Sequence, residues 1–147
     1  MIPTIRPYLV SDSARMLAIF DANTPAFFAV NERGDFIRYL SENADRYAIV
    51  ERSGTIVAGF AVAPGAAGRA HLNWILVDPA LQGGGIGGVM MTAATTRALE
   101  LGAATLEIAA SQHSAPFFGR FGAQELGQTK DGWGPGMHRI DMELSLS

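Results

Sequence analysis

The order and chemistry of the segments predict a mixed α/β fold whose central sheet is mostly antiparallel and contains one parallel pair. Three observations carry that expectation. Two apolar runs at residues 47–51 and 55–62 flank Ser53-Gly54, the signature of a β-hairpin. Further on, a strand, a glycine-rich turn, a helix and another strand follow one another, which calls for a right-handed crossover and so for a parallel pair. The chain has 147 residues, 48% of them hydrophobic, which suits one core better than two, so a single domain over residues 1–147 is expected.

Residues 4–9 read as the first strand. Ser11, Asp12 and Ser13 supply cap-type side chains for a helix running to about Ala22, and Asn23-Thr24-Pro25 ends it. In residues 35–43, Phe36, Ile37, Tyr39 and Leu40 fall on one helical face, which should pack on the sheet. After the hairpin, Pro64-Gly65 marks a loop and residues 70–77 form a fourth strand. Asp78-Pro79 stops it, because proline cannot continue a sheet ladder. Ile86, Val89, Met90, Ala93 and Ala94 then recur at helical spacing up to Gly102, a good helix stop. Residues 105–109 make a fifth strand and residues 116–121 a short helix. Two last strands flank Gly132-Trp133-Gly134-Pro135-Gly136, and no internal repeat is evident.

Composition removes several classes of function. Cysteine is absent, which excludes disulfides, thiolate metal sites and a cysteine nucleophile. The net charge of -3 comes with no long basic run and so gives a nucleic-acid partner no support. His71, His113 and His138 lack metal-ligand spacing, so no metal is expected. No long uninterrupted apolar stretch and no basic-then-apolar leader occur, which predicts a cytoplasmic protein without membrane association.

The most informative segment is Val77-Asp78-Pro79-Ala80-Leu81-Gln82-Gly83-Gly84-Gly85-Ile86-Gly87-Gly88, between a predicted strand and a predicted helix. Without side chains, backbone N–H groups can approach a ligand, and the helix N-terminus adds unpaired donors and a positive dipole end. That combination suits a pyrophosphate. A nucleotide P-loop fails because no Lys-Ser or Lys-Thr follows the glycines. A dinucleotide fingerprint is met in spacing by Gly83, Gly85 and Gly88, with Glu107 near the position of its acidic residue. It fails in context, since five residues separate strand from glycine, hairpin strands precede it and too little chain follows.

In these residues the chain resembles the GNAT superfamily of N-acetyltransferases, whose signature is Arg or Gln, two residues, Gly, one residue, then Gly or Ala. Gln82-Gly83-Gly84-Gly85-Ile86-Gly87 matches it, and Val77-x-Pro79 and Phe117-Phe118-Gly119-Arg120-Phe121-Gly122-Ala123 look like further landmarks. The resemblance covers nearly the whole chain and implies the GNAT fold. It implies acetyl-CoA as co-substrate, its pyrophosphate held by backbone N–H groups from Gln82 through Gly83, Gly84, Gly85, Ile86 and Gly87 to Gly88. It implies that the strand end around Leu76 and Val77 pairs with the pantetheine arm beside a bulge, and that Ser111 replaces an asparagine near that arm. It also implies an amine acceptor, small-molecule or peptide, and direct attack with no acyl-enzyme; a homodimer is compatible with it. Relatives often carry a tyrosine where this chain has Phe118, so the usual acid for the leaving thiolate is missing. That departure leaves a rival reading, a non-catalytic acyl-CoA-binding or sensing module.

An amine must lose a proton to attack, so the remaining question is the base. By the two-residue period His71, Asn73, Ile75 and Val77 share one face of the fourth strand. Asn73 stands near where relatives place a glutamate and can orient water but not accept a proton. His138 alternates with Ile140, Met142 and Leu144, which points it inward beside the glycine-rich loop as a base or as a hydrogen-bonded core histidine. His71 reads as distant from the thioester, and His113 as near the cofactor. Between the first two helices, Phe27 and Phe28 offer an apolar wall, and Glu32 can attract a cationic amine or take its proton. Trp133 lines the acceptor mouth or pins its own loop.

Overall fold

Side chains of a strand alternate between the two faces of a sheet, so the hairpin's continuous apolar runs predict layers on both sides. The computed structural model, which describes residues 2–24, 26–81 and 83–146, has that arrangement. In chain order the elements are β1 (Thr4–Pro7), α1 (Ser13–Ala22), α2 (Arg33–Glu42), β2 (Tyr47–Arg52), β3 (Thr55–Pro64), β4 (Arg69–Val77), α3 (Ile86–Glu100), β5 (Thr105–Ser111), α4 (Ala115–Arg120), β6 (Gln124–Gly134) and β7 (Met137–Ser145). The strands form a seven-stranded sheet in the order β1-β2-β3-β4-β5-β7-β6. All neighbours are antiparallel except β4 and β5, which are joined through α3. The predicted fold class and crossover hold.

Along β2, Tyr47 and Ile49 face one side and Ala48 and Val50 the other, and all four are fully buried. The first side is covered by α1 and α2. In α1, Met16, Ile19 and Phe20 recur at three- and four-residue spacing and are buried. From α2 come Phe36 and Leu40, whereas Ile37, expected on the same face, is 44% exposed because the stripe is narrower than the pattern suggested. The second side is covered by α3 and α4, with Ile86, Met90, Met91, Ala94 and Phe118 packed against Phe60, Leu106 and Ile108.

Two irregularities position the site. β4 and β5 pair from Arg69↔Thr105 to Leu72↔Ile108 and then part, although β4 continues to Val77 and β5 to Ser111. On its other edge β4 stays bonded to β3, but two steps along β3, Ala61 to Gly59, span three along β4, Asn73 to Leu76. That extra residue is a bulge, and Trp74 adopts φ +49° in it. The bulge inverts the alternation. Leu72 packs beneath α3, yet Leu76 packs with α1 and α2, while Ile75 and Val77 turn to the α3 side. The common face expected for His71, Asn73, Ile75 and Val77 is therefore split after Asn73.

Candidate functional site

An aromatic side chain at positive φ is strained, and several contacts hold Trp74 there. The Tyr47 hydroxyl donates to the Trp74 carbonyl at 2.8 Å, and burial pushes that phenol well above its ordinary pKa. Phe28 stacks on the indole with centroids 6.1 Å apart, and Phe36 lies against it at 5.0 Å. The end of β4 is fixed in turn. Asn23, buried, donates from Nδ2 to the Val77 carbonyl at 2.9 Å. Arg15 bridges the Ile56 carbonyl at 2.9 Å and the Asp78 carboxylate at 2.6 Å. Burial opposes the Asp78 charge, but Arg15 and the Ala80 N–H outweigh it and hold the pKa below the usual carboxylate range. The stability this pair contributes is present above the ordinary carboxylate value and is lost as pH falls through the lowered one.

Past this anchor the chain turns through Gly83, Gly84 and Gly85, at φ +97°, +63° and +80°. Side-chain-bearing residues rarely adopt such a run, and here it delivers the chain into α3 with Gly85 as the N-cap residue. The first N–H groups of α3 have no intrahelical acceptor. Gly83, Gly85, Ile86 and Gly87 line the cavity; Gly84 and Gly88 do not. Gln82 lies outside the described residues. Gly87 is small for a different reason: a Cβ there would stand 2.7 Å from Cε1 of Phe117. Arg52, at the end of β2, braces the turn from behind, its guanidinium donating to the carbonyls of Leu81 at 3.1 Å and Gly83 at 3.2 Å. Sequence reasoning missed Arg52, since nothing local links a hairpin arginine to a turn some thirty residues later.

Across the parted strands, Ser111 is buried, and its hydroxyl accepts the N–H groups of His113 and Ser114 at 3.2 and 3.3 Å. It organises the start of α4, so the hydroxyl expected to meet a pantetheine arm is already engaged. Phe118 is 2% exposed and belongs mainly to the core under α3, while its neighbour Phe117 presents more surface. Both line the cavity.

On the α1/α2 side of the parted strands the lining becomes polar. His71 Nδ1 lies 2.9 Å from Glu107 Oε2. Glu107 is also bonded to Arg69, whose other nitrogen reaches Glu143 at 2.7 Å. His71, Glu107 and Asn73 all line the cavity. Glu32 lines it too, 6% exposed, with Oε2 accepting the Ala29 N–H at 2.7 Å. Burial raises the Glu32 pKa, the Ala29 N–H opposes the shift and nearby Asp35 adds to it. Phe27, Phe28, Trp74 and Trp133 supply apolar walls. Trp133 donates from Nε1 to the Ala110 carbonyl at 2.9 Å, and its own carbonyl accepts from Asn31 at 3.1 Å, tying the β6–β7 hairpin to the α1–α2 connection.

His138 does not line this cavity. Its Nδ1 accepts the Asp131 N–H at 3.0 Å, beside the Asp131 carboxylate at 3.6 Å, and the ring lies at the surface. The register of β6 against β7 breaks between Thr129 and Gly134, with Asp131 at φ +53°, and this excursion captures the ring. The inward orientation expected from alternation is thereby overturned. His71, expected to lie distant from the thioester, lines the cavity and has a carboxylate partner. His113 is exposed at the rim, edge-on to Phe27 with centroids 6.3 Å apart.

The combined cavity measures about 1230 Å³, large for a small-molecule site, which typically spans roughly 300–1,000 Å³. The lining joins backbone donors at a helix N-terminus, a histidine–carboxylate pair and several aromatic rings. Among the described residues no group of three His, Asp or Glu side chains could hold a metal ion, and no helix is long and apolar enough to cross a membrane.

Comparison with known proteins agrees with this geometry. The model of the acetyltransferase (GNAT) family matches residues 14–123. No curated protein sequence matches the chain. Among solved structures, the ribosomal-protein-S18-alanine N-acetyltransferase from Escherichia coli superposes with a TM-score of 0.76 at 19% identity, over 99% of this chain and 95% of that one. The ribosomal-protein-alanine N-acetyltransferase from Brucella melitensis gives 0.72 at 22% identity, over 97% and 99%. The N-acetylglutamate synthase from Neisseria gonorrhoeae, solved with coenzyme A and N-acetyl-glutamate, gives 0.79 at 18% identity. This chain is covered completely there but spans only 36% of that longer protein. At these identities the likeness is one of fold.

Proposed function

The chain belongs to the GNAT family of acetyltransferases, and from that premise we propose that it transfers the acetyl group of acetyl-CoA directly to a primary amine. The observation that carries this reading is a single cavity lined both by the glycine turn and by the parted ends of β4 and β5. The turn and the start of α3 fit a pyrophosphate by donor geometry and dipole sign. The unpaired edge of β4 fits an extended amide-bearing arm, and a free N–H on it polarises the thioester carbonyl.

The amine nitrogen then bonds to the thioester carbon, the tetrahedral adduct collapses, the C–S bond breaks and CoA leaves as the thiolate. The amine proton passes by way of water to the imidazole of His71, whose Nδ1 lies against Glu107. Asn73, two residues further along β4, orients the water that relays it. Glu107 fixes the tautomer and steadies the imidazolium. A thiolate leaves without a dedicated acid, which accommodates Phe118 at the position that is often tyrosine. Acceptor-dependent release of free CoA across a panel of amines tests the reading. Tight acetyl-CoA binding with no release to any amine would favour a binding module.

Three variants probe the cofactor end. Arg52→Ala removes both guanidinium bonds behind the glycine turn and is expected to weaken acetyl-CoA binding about tenfold by calorimetry, with the fold retained, since charged hydrogen bonds are worth about 1.5–3 kcal/mol and this one is partly solvated. Phe118→Ala is expected to cost about 3–5 kcal/mol of stability in denaturant unfolding, because the ring is core as well as cavity wall. Phe118→Tyr should keep cofactor affinity and match or exceed the parent turnover.

A further inference from the structure

A buried phenol that does not line the cavity holds one peptide unit of the strand that does. Resting on the direct-transfer reading above, we propose that Tyr47 is a positioning residue for acyl transfer. Its hydroxyl, carried over β3 through the notch left by Gly59, fixes the Trp74–Ile75 peptide so that the Ile75 N–H meets the thioester carbonyl.

Tyr47 starts β2 and is 1% exposed, and β3 separates β2 from β4 in the sheet. Its ring crosses β3 at Gly59, where a Cβ would stand 2.5 Å from its Cε2 and 2.7 Å from its hydroxyl. Gly59 does not adopt positive φ, so clearance for the phenol is what glycine supplies there. Rings of Tyr8, Phe36 and Tyr39 pack around the phenol with centroids 6.0, 6.0 and 6.4 Å away. At the end of this course the hydroxyl donates to the Trp74 carbonyl at 2.8 Å, and burial makes it keep its proton.

No ladder sets the orientation of this peptide. Trp74 and Ile75 fall between the pairs Ala61↔Asn73 and Gly59↔Leu76, and pairing with β5 has ended at Leu72↔Ile108. In a planar trans unit the N–H points opposite to the carbonyl. A Trp74 carbonyl drawn toward Tyr47 therefore directs the Ile75 N–H away from β2 and β3, toward the edge of β4 that has parted from β5. Ile75 lines the cavity on that edge. The hydrogen bond on the carbonyl oxygen also polarises the amide and strengthens its N–H as a donor. A donor already aimed where the oxyanion develops needs no reorganisation during attack.

Acetyl-CoA labelled with ¹³C at the thioester carbonyl reads the polarisation without an acceptor. Bound to the parent, its carbonyl resonance is expected downfield of the free value. Tyr47→Phe keeps the ring and removes the hydroxyl, and is expected to lose at least about half of that shift. Acetyl-CoA affinity by calorimetry should stay within about threefold of the parent. By contrast, kcat for amine-dependent CoA release should fall about tenfold at an unchanged KM for acetyl-CoA, since removing an oxyanion donor costs about 10²–10³ and here it is only misdirected. A merely structural Tyr47 would lower the unfolding midpoint without moving the carbonyl resonance. Gly59→Ala evicts the phenol with a methyl group and is expected to reproduce both losses, so the test does not hang on one variant folding. A shift that persists in full in a folded variant, or a kcat that stays at the parent value once the shift is lost, overturns the proposal alone. Absence of any shift in the parent with acetyl-CoA bound removes the polarising N–H from the transfer reading, and this proposal with it.

Discussion

Gly85→Val is expected to weaken acetyl-CoA binding more than about a hundredfold. Gly85 sits at φ +80° as the residue that starts α3, and a β-branched side chain there is a backbone outlier. The chain would escape by rotating the peptide units on either side, which redirects the donors the pyrophosphate needs. Charge-assisted hydrogen bonds are worth about 1.5–3 kcal/mol each, so misdirecting two of them exceeds about a hundredfold in affinity. Calorimetry on the folded variant measures this. Gly87→Val should act by another route, since its Cβ would stand 2.7 Å from the Phe117 ring and drive that ring out of place. Gly88→Ala supplies the contrast: a Cβ there meets nothing within 4 Å, and alanine favours the helix by about 1 kcal/mol. Near-parent affinity in both valine variants would remove the glycine turn from the cofactor site.

His71→Gln is expected to lower turnover about a hundredfold or more with acetyl-CoA affinity unchanged, the usual scale for a positioned base being about 10²–10⁴. Glutamine keeps hydrogen bonding but cannot take the proton. His138→Gln should leave turnover within about twofold of the parent, because its ring serves the Asp131 turn and not the cavity. If turnover in His71→Gln stays near the parent value, another group carries the proton, with Glu32 next in line.

The difference between these two histidines shows where the sequence stops being informative. His138 followed a correct strand and a correct two-residue period, yet its side chain is bound by a local excursion of β6 that leaves no mark in the sequence of β7. His71 was set aside by distance along the strand. Its partner Glu107 lies 36 residues away and is adjacent only because β4 and β5 pair in parallel. Arg52 was illegible for the same reason. Glu32 was legible as a candidate between α1 and α2, but its burial depended on how the turn before α2 packs.

What the sequence determined by itself was local: the hairpin, the strand–turn–helix crossover, and a turn whose glycines announce left-handed backbone at the start of a helix. These follow from steric preferences of a few consecutive residues, which any part of a chain expresses without help. The tertiary structure alone decided which face each side chain of the site occupies. One inserted residue at Trp74 inverts the alternation of β4, and with it the assignment of Ile75, Leu76 and Val77 to the α3 side or the α1/α2 side of the sheet. That insertion is fixed by long-range contacts, the Tyr47 hydroxyl on the Trp74 carbonyl and the aromatic rings of α1 and α2 against the indole, and so becomes visible only when those elements are packed together.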